Sequence, residues 1–171
     1  MPPKDAAAVD DAALRARAEA LGKALSARGI KVAAAESCTG GWIAKVLTDV
    51  PGSSAWFDRG FVTYSDLAKL EVLGVDQAVL ARHGAVSEAV VAEMTAGLRR
   101  YTSCQAAIAV SGIAGPGGGT EAKPVGLVCV GFSLGDESWT ETRRFAGDRD
   151  AVRRLSVALA LDGLLEALAA G

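Results

Sequence analysis

Two short apolar runs limit the folds open to this chain more than any other feature. Residues 30–35 and 106–110 are too short for ordinary helices, and a segment containing glycine follows each of them. Runs of this length and hydrophobicity are typical of strands that are buried on both faces of a sheet. Because such strands need helices on each side, the two runs predict a sheet in the middle of the domain.

Segments with helical spacing alternate with these strands. Apolar spacing, caps and glycine stops predict helices over residues 10–29, 42–48, 66–73, 76–82 and 87–101, and a last helix that is capped by Asp148. Further strands are expected over residues 57–64, 125–134 and 138–145, the last two as an antiparallel pair. We expect the core face of the last helix to carry Val152, Leu155, Leu159 and Leu165. The fold class is therefore α/β, a single-domain three-layer sandwich whose mixed sheet is covered by helices on both faces.

Composition limits the class of protein and its partners. The 171 residues suit one domain over 12–171, preceded by a flexible tail over 1–11 without the apolar core of a signal peptide. A net charge of -2 argues against nucleic acid, and the lack of a long apolar run argues against a membrane. Three cysteines without CxxC spacing and a single histidine predict reduced thiols, no metal site and a cytoplasmic location.

The turn after the first apolar run is the strongest candidate for a functional site. Glu36-Ser37-Cys38-Thr39-Gly40-Gly41 joins a strand to a helix and so places hydroxyl and backbone N–H groups at a positive helix end. Such a turn can hold an anion or a developing oxyanion beside a nucleophile. An ordinary helix cap with glycines for a tight turn explains the pattern equally well. Ser37 ranks above Cys38 as nucleophile, because no histidine is adjacent to activate a thiol.

A base for Ser37 has to be sought outside histidine. The one histidine, His83, lies at a predicted helix end, where a cap is the commoner role. Lys69 lies about one turn into a predicted helix, close to Tyr64 at the end of the preceding strand. A lysine in an apolar pocket has a lowered pKa and can act as a general base, although a solvated helix lysine is the commoner case.

Two other segments could bind an anionic ligand. The glycine-rich stretch over 112–119, which includes Gly112 and Gly115, follows a core strand, where open α/β sheets bind ligands; a flexible connection is the alternative. Arg149 falls in the first turn of the last helix, where the helix dipole disfavours a cation. It therefore has either an anionic target such as phosphate or a surface ion pair with Asp148 or Asp150.

Taken together, the motifs of this chain resemble those of one protein family. They occur in the order Ala34-Ala35-Glu36-Ser37-Cys38-Thr39-Gly40-Gly41, Pro51-Gly52-Ser53-Ser54, Gly60-Phe61-Val62-Thr63-Tyr64-Ser65, His83-Gly84-Ala85-Val86-Ser87, Ser111-Gly112-Ile113-Ala114-Gly115-Pro116, Lys123-Pro124-Val125-Gly126 and Gly147-Asp148-Arg149. Over residues 12–168 the chain is similar to the C-terminal domain of the competence-damage-inducible (CinA) proteins, in the stand-alone form that acts as a nicotinamide mononucleotide amidohydrolase.

The resemblance implies a reaction and a set of site residues. The reaction is hydrolysis of the carboxamide of nicotinamide mononucleotide, which gives nicotinic acid mononucleotide and ammonia for pyridine-nucleotide salvage, without a metal or organic cofactor. The family's catalytic serine, tyrosine and lysine correspond to Ser37, Tyr64 and Lys69. Its arginine corresponds to Arg149, which with the loop over 112–119 would hold phosphate and ribose. Thr39, Gly40 and Gly41 would supply N–H groups to the oxyanion, and a homodimer or higher homo-oligomer is implied.

One position departs from the family pattern, and two other functions are left open. The family has asparagine where this chain has Asp66, and a carboxylate near Lys69 would raise the pKa of the lysine. A non-catalytic nucleotide-binding or regulatory module is one alternative, although the presence of Ser37, Tyr64 and Lys69 together favours catalysis. An amidohydrolase of a different small amide is the other.

Overall fold

The computed structural model describes residues 9–171. Five strands occur in this part of the chain: β1 (Val32–Glu36), β2 (Phe57–Val62), β3 (Ala106–Gly112), β4 (Leu127–Leu134) and β5 (Glu137–Arg144). Six α-helices accompany them: α1 (Asp11–Arg28), α2 (Trp42–Thr48), α3 (Asp66–Leu73), α4 (Gln77–His83), α5 (Glu88–Tyr101) and α6 (Arg149–Ala170). One 3₁₀ turn covers Ser53–Ala55.

The five strands form one mixed sheet. Their order across the sheet is β2-β1-β3-β4-β5, with β1 parallel to both β2 and β3 and with β4 antiparallel to β3 and β5. All five residues of β1 are buried, as expected for a strand covered on both faces. The predicted buried strands and the late antiparallel pair are confirmed.

Helices cover both faces of this sheet. Successive strand residues point to opposite faces, so Ala34 and Ile108 belong to one core cluster while Ala33 and Ala107 belong to another. The first cluster is completed by apolar side chains of α1, α2 and α6. The second is completed by those of α3, α4 and α5. The three-layer α/β prediction is therefore confirmed.

The core face of α6 differs from the predicted one. Val152 is fully buried, but Leu155, Leu159 and Leu165 are only partly buried. The buried face instead carries both small and large residues: Ser156, Val157, Ala158, Ala160, Leu161, Gly163, Leu164 and Leu168. The small residues let α6 approach the sheet closely, since a Cβ at Gly163 would lie 2.5 Å from the ring of Phe132. A prediction based on the positions of large apolar residues alone does not identify a buried face that also contains small residues.

The predicted tail falls partly outside the described region. Residues 1–8 of the tail lie outside the described residues. Helix α1 begins at Asp11, one residue before the predicted domain boundary, because the carboxylate of Asp10 accepts a hydrogen bond from the Ala13 N–H at 2.8 Å and caps the helix. No helix within residues 9–171 is long and apolar enough to cross a membrane.

The three parallel strands end at one edge of the sheet, and the candidate site lies there. Glu36, the last residue of β1, is opposite Val62 of β2 and Val110 of β3. The ladder continues past the strand ends, because the Thr63 N–H donates to the Glu36 carbonyl at 2.8 Å and the Ser37 N–H donates to the Val110 carbonyl at 3.1 Å. The turn after β1 is thus held between the ends of β2 and β3. Strand β2 is two residues shorter than predicted, so its following segment is free to bend toward α3.

Candidate active site

A buried lysine and a serine form the centre of the site. The Nζ of Lys69 on α3 donates to the Oγ of Ser37 at 3.1 Å. Lys69 is 1% exposed and Ser37 is 9% exposed. The sheet brings them together, since Ser37 follows β1 and α3 follows the neighbouring strand β2. A serine hydroxyl within hydrogen-bond distance of an amine is an arrangement that can activate a nucleophile.

Burial sets the protonation behaviour of Lys69. Desolvation lowers the pKa of Lys69 from the usual value near 10.5, although the negative charge of Asp66 acts in the opposite direction. Asp66 itself is exposed in the first turn of α3. Asp66, the residue that departs from the family pattern, therefore reduces the extent to which burial lowers the pKa of Lys69 but does not reverse its direction. Lowering the pKa of a lysine increases the fraction of its neutral form, which is the form that can accept a proton.

Thr63 completes the surroundings of the lysine. Its carbonyl accepts a second hydrogen bond from Lys69 Nζ, at 2.8 Å. This contact and the one to Ser37 hold the amine in one orientation. The Oγ1 atom of Thr63 is buried and has no hydrogen-bond partner among the described residues.

Glu36 organises the turn that carries Ser37. Its side chain is 1% exposed and accepts hydrogen bonds from the Thr39 hydroxyl at 2.5 Å and from three backbone N–H groups of residues 41, 43 and 44 at 2.9–3.1 Å. The carboxylate thereby caps the N-terminus of α2 from the end of the preceding strand. The sequence motif contains Glu36 but predicts no role for it, although a charged residue at the end of an apolar strand is unusual enough to indicate one.

The backbone donors expected to bind an oxyanion are only partly available. The Gly41 N–H donates to Glu36 at 3.1 Å and the Gly40 N–H donates to the Ser37 carbonyl at 3.0 Å, so neither is free in this structure. The Thr39 side chain is fully buried and its hydroxyl is directed to Glu36. Within residues 9–171, the N–H groups of Cys38 and Thr39 donate to no backbone carbonyl, and the Cys38 N–H lies against its own thiol. The free donors of the turn are therefore at 38 and 39 rather than at 40 and 41.

Cys38 is unsuited to act as the nucleophile. Its side chain is 5% exposed, and burial raises the pKa of the Cys38 thiol to about 12. A thiol with such a pKa is protonated at neutral pH and reacts poorly. All three cysteines are free and buried, as the prediction of reduced thiols requires.

Arg149 joins Tyr64 to the glycine-rich loop. Its Nη1 donates to the Gly115 carbonyl at 2.8 Å and its Nη2 donates to the Tyr64 hydroxyl at 3.0 Å. Within the described residues no hydrogen bond links Tyr64 to Ser37 or Lys69. The expected assistance of Lys69 by the Tyr64 hydroxyl is therefore not supported by a direct contact. Tyr64 is 59% exposed, which suits a residue at the rim of the site.

Gly112 has a packing role at the end of β3. A Cβ there would lie 2.8 Å from Cγ2 of Val128 and 3.0 Å from Sγ of Cys38. Only glycine lets the strand end pack this closely against the turn that carries Ser37. Ligand contact by Gly112 stays a prediction.

Arg153, which sequence analysis did not select, contacts the same turn. It lies one helical turn after Arg149 on α6 and donates to the carbonyls of Cys38 and Thr39 at 3.0 and 3.1 Å. Its guanidinium also lies over the ring of Trp42, 5.2 Å from the centroid. The i,i+4 spacing of two arginines at the start of one helix was the available signal.

Two cavities lie near these elements. One of about 320 Å³ is lined by Thr39, Gly40, Gly41, Trp42, Lys45 and Arg153. A larger one of about 850 Å³ lies between the N-terminal ends of α1 and α6, and neither of the two cavities is lined by Ser37, Tyr64 or Lys69. The described part of the chain brings together no group of three or more His, Cys, Asp or Glu side chains that could hold a metal ion.

Comparisons with known proteins agree with these motifs. A family model described as the CinA C-terminal domain matches residues 14–168. A nicotinamide-nucleotide amidohydrolase, PncC, from Escherichia coli K12 is 54% identical over 155 residues, which cover 90% of this chain and 94% of the relative. A CinA-like protein from Chloroherpeton thalassium is 54% identical over 135 residues, but these cover 77% of this chain and only 32% of that longer protein.

A solved structure has the same fold. The crystal structure of a competence damage-inducible protein A from Klebsiella pneumoniae superposes with a TM-score of 0.88 at 42% sequence identity. The superposition covers 91% of this chain and 97% of that one.

Proposed function

The chain belongs to the CinA C-terminal domain family, and from that premise we propose that it hydrolyses the carboxamide of nicotinamide mononucleotide. The products are nicotinic acid mononucleotide and ammonia. Relatives named nicotinamide-nucleotide amidohydrolase, similar over 90% of this chain, support the choice of substrate. The Ser37–Lys69 pair, at 3.1 Å and buried, is the observation that carries the choice of reaction.

The first half of the proposed reaction acylates Ser37. Neutral Lys69 takes the proton of the Ser37 hydroxyl while Oγ attacks the carboxamide carbon, and the carbonyl oxygen becomes an oxyanion. The free N–H groups of Cys38 and Thr39 are the donors available to that oxyanion. The Lys69 ammonium then returns its proton to the departing nitrogen, so that ammonia leaves and an ester to Ser37 remains.

The second half releases the acid. A water molecule attacks the ester carbon and gives its proton to Lys69. The tetrahedral intermediate then breaks at the Ser37 oxygen, which takes the proton back. Lys69 returns to its neutral form and no external oxidant, reductant or metal takes part. The net change is addition of one water and loss of one ammonia.

Arg149 and Tyr64 are proposed to bind the nucleotide rather than to move protons. The guanidinium of Arg149 is charged and exposed at the start of α6, so that it can meet a phosphate. The Gly115 carbonyl and the Tyr64 hydroxyl fix its position at 2.8 and 3.0 Å. A preset guanidinium loses less side-chain entropy when the substrate binds.

Ammonia release from nicotinamide mononucleotide tests this proposal. Ser37→Ala should lower kcat by about 10⁴-fold or more, since the nucleophile is lost, while the circular dichroism spectrum stays that of the wild type. Ser138→Ala, at an exposed position on β5, is the matched control and should keep the wild-type rate. Binding of the mononucleotide without any ammonia release by the wild type would instead indicate a binding module. Release from other small amides but not from this one would indicate a different substrate.

A further inference from the structure

We propose that Arg153 is a positioning residue for amide hydrolysis, which keeps the backbone after Ser37 in the orientation that binds the oxyanion. This inference rests on the proposed function. Arg153 lies on α6, more than one hundred residues after the turn, and donates from Nε to the Cys38 carbonyl at 3.0 Å and from Nη2 to the Thr39 carbonyl at 3.1 Å. It therefore connects the last helix to the backbone that follows the nucleophile.

Peptide geometry links these carbonyl contacts to the free donors. In a trans peptide the C=O and the next N–H point in opposite directions. The peptide that joins Cys38 to Thr39 is trans, so a guanidinium that holds the Cys38 carbonyl also sets the direction of the Thr39 N–H. Within residues 9–171, that N–H donates to no backbone carbonyl.

The Cys38–Thr39 peptide depends on Arg153 more than its neighbours do. The Thr39 carbonyl also accepts from the Trp42 N–H at 3.1 Å, and the Ser37 carbonyl accepts from the Gly40 N–H at 3.0 Å. For the Cys38 carbonyl, by contrast, Arg153 is the single hydrogen-bond donor among the described residues. Without Arg153 this peptide would be free to rotate, and its N–H would no longer be fixed before the reaction begins.

Other contacts fix the guanidinium itself. Its Nε and Nη2 atoms are occupied by two carbonyls, and its plane lies over the Trp42 ring at 5.2 Å. A charged donor held in this way makes stronger hydrogen bonds than a neutral one. Preorganised donors account for a large share of catalysis because they need no rearrangement as charge develops.

A second role for Arg153 is an outcome of the test. Arg153 lines the cavity of about 320 Å³ together with Lys45, and a pair of cations could bind a phosphate there. A phosphate ligand would affect mainly KM, whereas a residue that positions the oxyanion donors affects kcat.

The experiment compares Arg153→Met with Arg154→Met in the full chain, with nicotinamide mononucleotide as substrate. Arg154 is the matched control: it is the next residue of α6 and lies over the same Trp42 ring at 4.7 Å, but its hydrogen bonds go to Asp11 and Asp150. We expect Arg153→Met to lower kcat by about 30- to 300-fold with KM within about threefold of the wild type, which is somewhat less than the loss of a direct oxyanion donor. Arg154→Met should keep wild-type kcat and KM.

Arg153→Lys covers the case in which Arg153→Met does not fold. An ammonium can hold one carbonyl but not both, so kcat should lie between those of the wild type and Arg153→Met. Thermal unfolding of each variant is measured alongside, and Arg153→Lys should melt close to the Arg154→Met control.

Three results would overturn the inference. Wild-type kcat in both Arg153 variants would exclude a positioning role and leave the proposed function intact. A raised KM at unchanged kcat would make Arg153 a substrate ligand instead. No ammonia release by the wild type would remove the proposed function, and this inference with it.

Discussion

The Nζ of Lys69 lies 3.1 Å from the Oγ of Ser37, although 32 residues separate them in the chain. The same amine donates to the Thr63 carbonyl at 2.8 Å, so two oxygens define its position. Removal of the lysine from water costs free energy, which lowers its pKa and prepares it to accept a proton.

The carboxylate of Asp66 should control the pH at which the enzyme becomes active. Its charge raises the pKa of Lys69 against the larger effect of burial, so Asp66→Asn should lower that pKa further. The rise of kcat/KM with pH should then shift to lower pH, and only modestly, since Asp66 is exposed and its effect is screened by water. The measurement is ammonia release as a function of pH.

Glu71→Gln is the matched control for this shift. Glu71 lies on the same helix and is exposed, but it is absent from the groups that act on Lys69. Its pH profile should overlie that of the wild type. A profile of Asp66→Asn that does not move, or moves to higher pH, would contradict the assignment of Lys69 as the base.

The stability of the protein should also depend on Lys69 at alkaline pH. Because the folded pKa is lowered below the unfolded value near 10.5, folded Lys69 binds fewer protons than unfolded Lys69 between these two values. The free energy of unfolding therefore rises with pH in that window, while below it the full cost of desolvation is present. Lys69→Met has no such titration, so the wild type should gain stability relative to it as the pH rises toward 10.5.

Melting temperatures across a pH series measure this effect. A relative gain of about 1 kcal/mol corresponds to about 2–4 °C for a domain of this size. Lys23→Met, at an exposed position on α1, serves as the control, and its difference from the wild type should stay constant. A constant difference for Lys69→Met as well would mean that burial does not lower the pKa of Lys69.

Replacement of Glu36 by glutamine should damage both the fold and the reaction. The carboxylate accepts hydrogen bonds from one hydroxyl and three N–H groups. In glutamine an NH₂ group replaces one of the two oxygens, and because NH₂ is a donor it cannot accept these hydrogen bonds. We expect the Glu36→Gln variant to have a free energy of unfolding about 1–3 kcal/mol below that of the wild type, measured by urea denaturation, and also a lower kcat. Glu19→Gln, which breaks only an exposed ion pair with Arg15, should cost less than about 1 kcal/mol.

Arg149→Ala should weaken binding of the phosphate without slowing the chemical step. Loss of a charged contact to phosphate should raise KM for nicotinamide mononucleotide by about tenfold or more, with kcat close to the wild-type value. With nicotinamide riboside, which lacks the phosphate, the same variant should resemble the wild type. Equal effects on both substrates would show that Arg149 does not meet the phosphate. Tyr64→Phe should raise KM less, since it removes only the hydroxyl that orients Arg149.

Much of the fold follows from local signals in the sequence. Helices α2 and α3 have the predicted bounds because residues that terminate helices follow them. Pro51-Gly52 follows α2, and Gly74 ends α3 in the left-handed conformation. The apolar runs at β1 and β3 identify the strands at the centre of the sheet, and the polar turn at Gly135 identifies the late antiparallel pair. Each of these features depends on residues close together in the chain.

For the candidate site, the sequence predicts which residues take part, but it does not predict all of their contacts. The motif pattern selects Ser37, Lys69 and Arg149, and the three-dimensional fold brings the first two within 3.1 Å. The partners of Arg149, however, are Tyr64 and Gly115, which the motifs suggest separately but do not join. The free N–H groups at 38 and 39 could not be found from sequence, because their neighbours at 40 and 41 look the same until the acceptors are known.

By itself, then, the sequence determined which segments form strands and helices, which turn carries the candidate nucleophile and which lysine is the candidate base, since these follow from local pattern and motif. Only the tertiary structure decided that burial outweighs Asp66 at Lys69, that Glu36 occupies the helix end, and that Arg153 holds the backbone after Ser37. The physical reason is that pKa values and free hydrogen-bond donors depend on what surrounds a group in space. Parallel strands with helical crossovers bring those surroundings from distant parts of the chain.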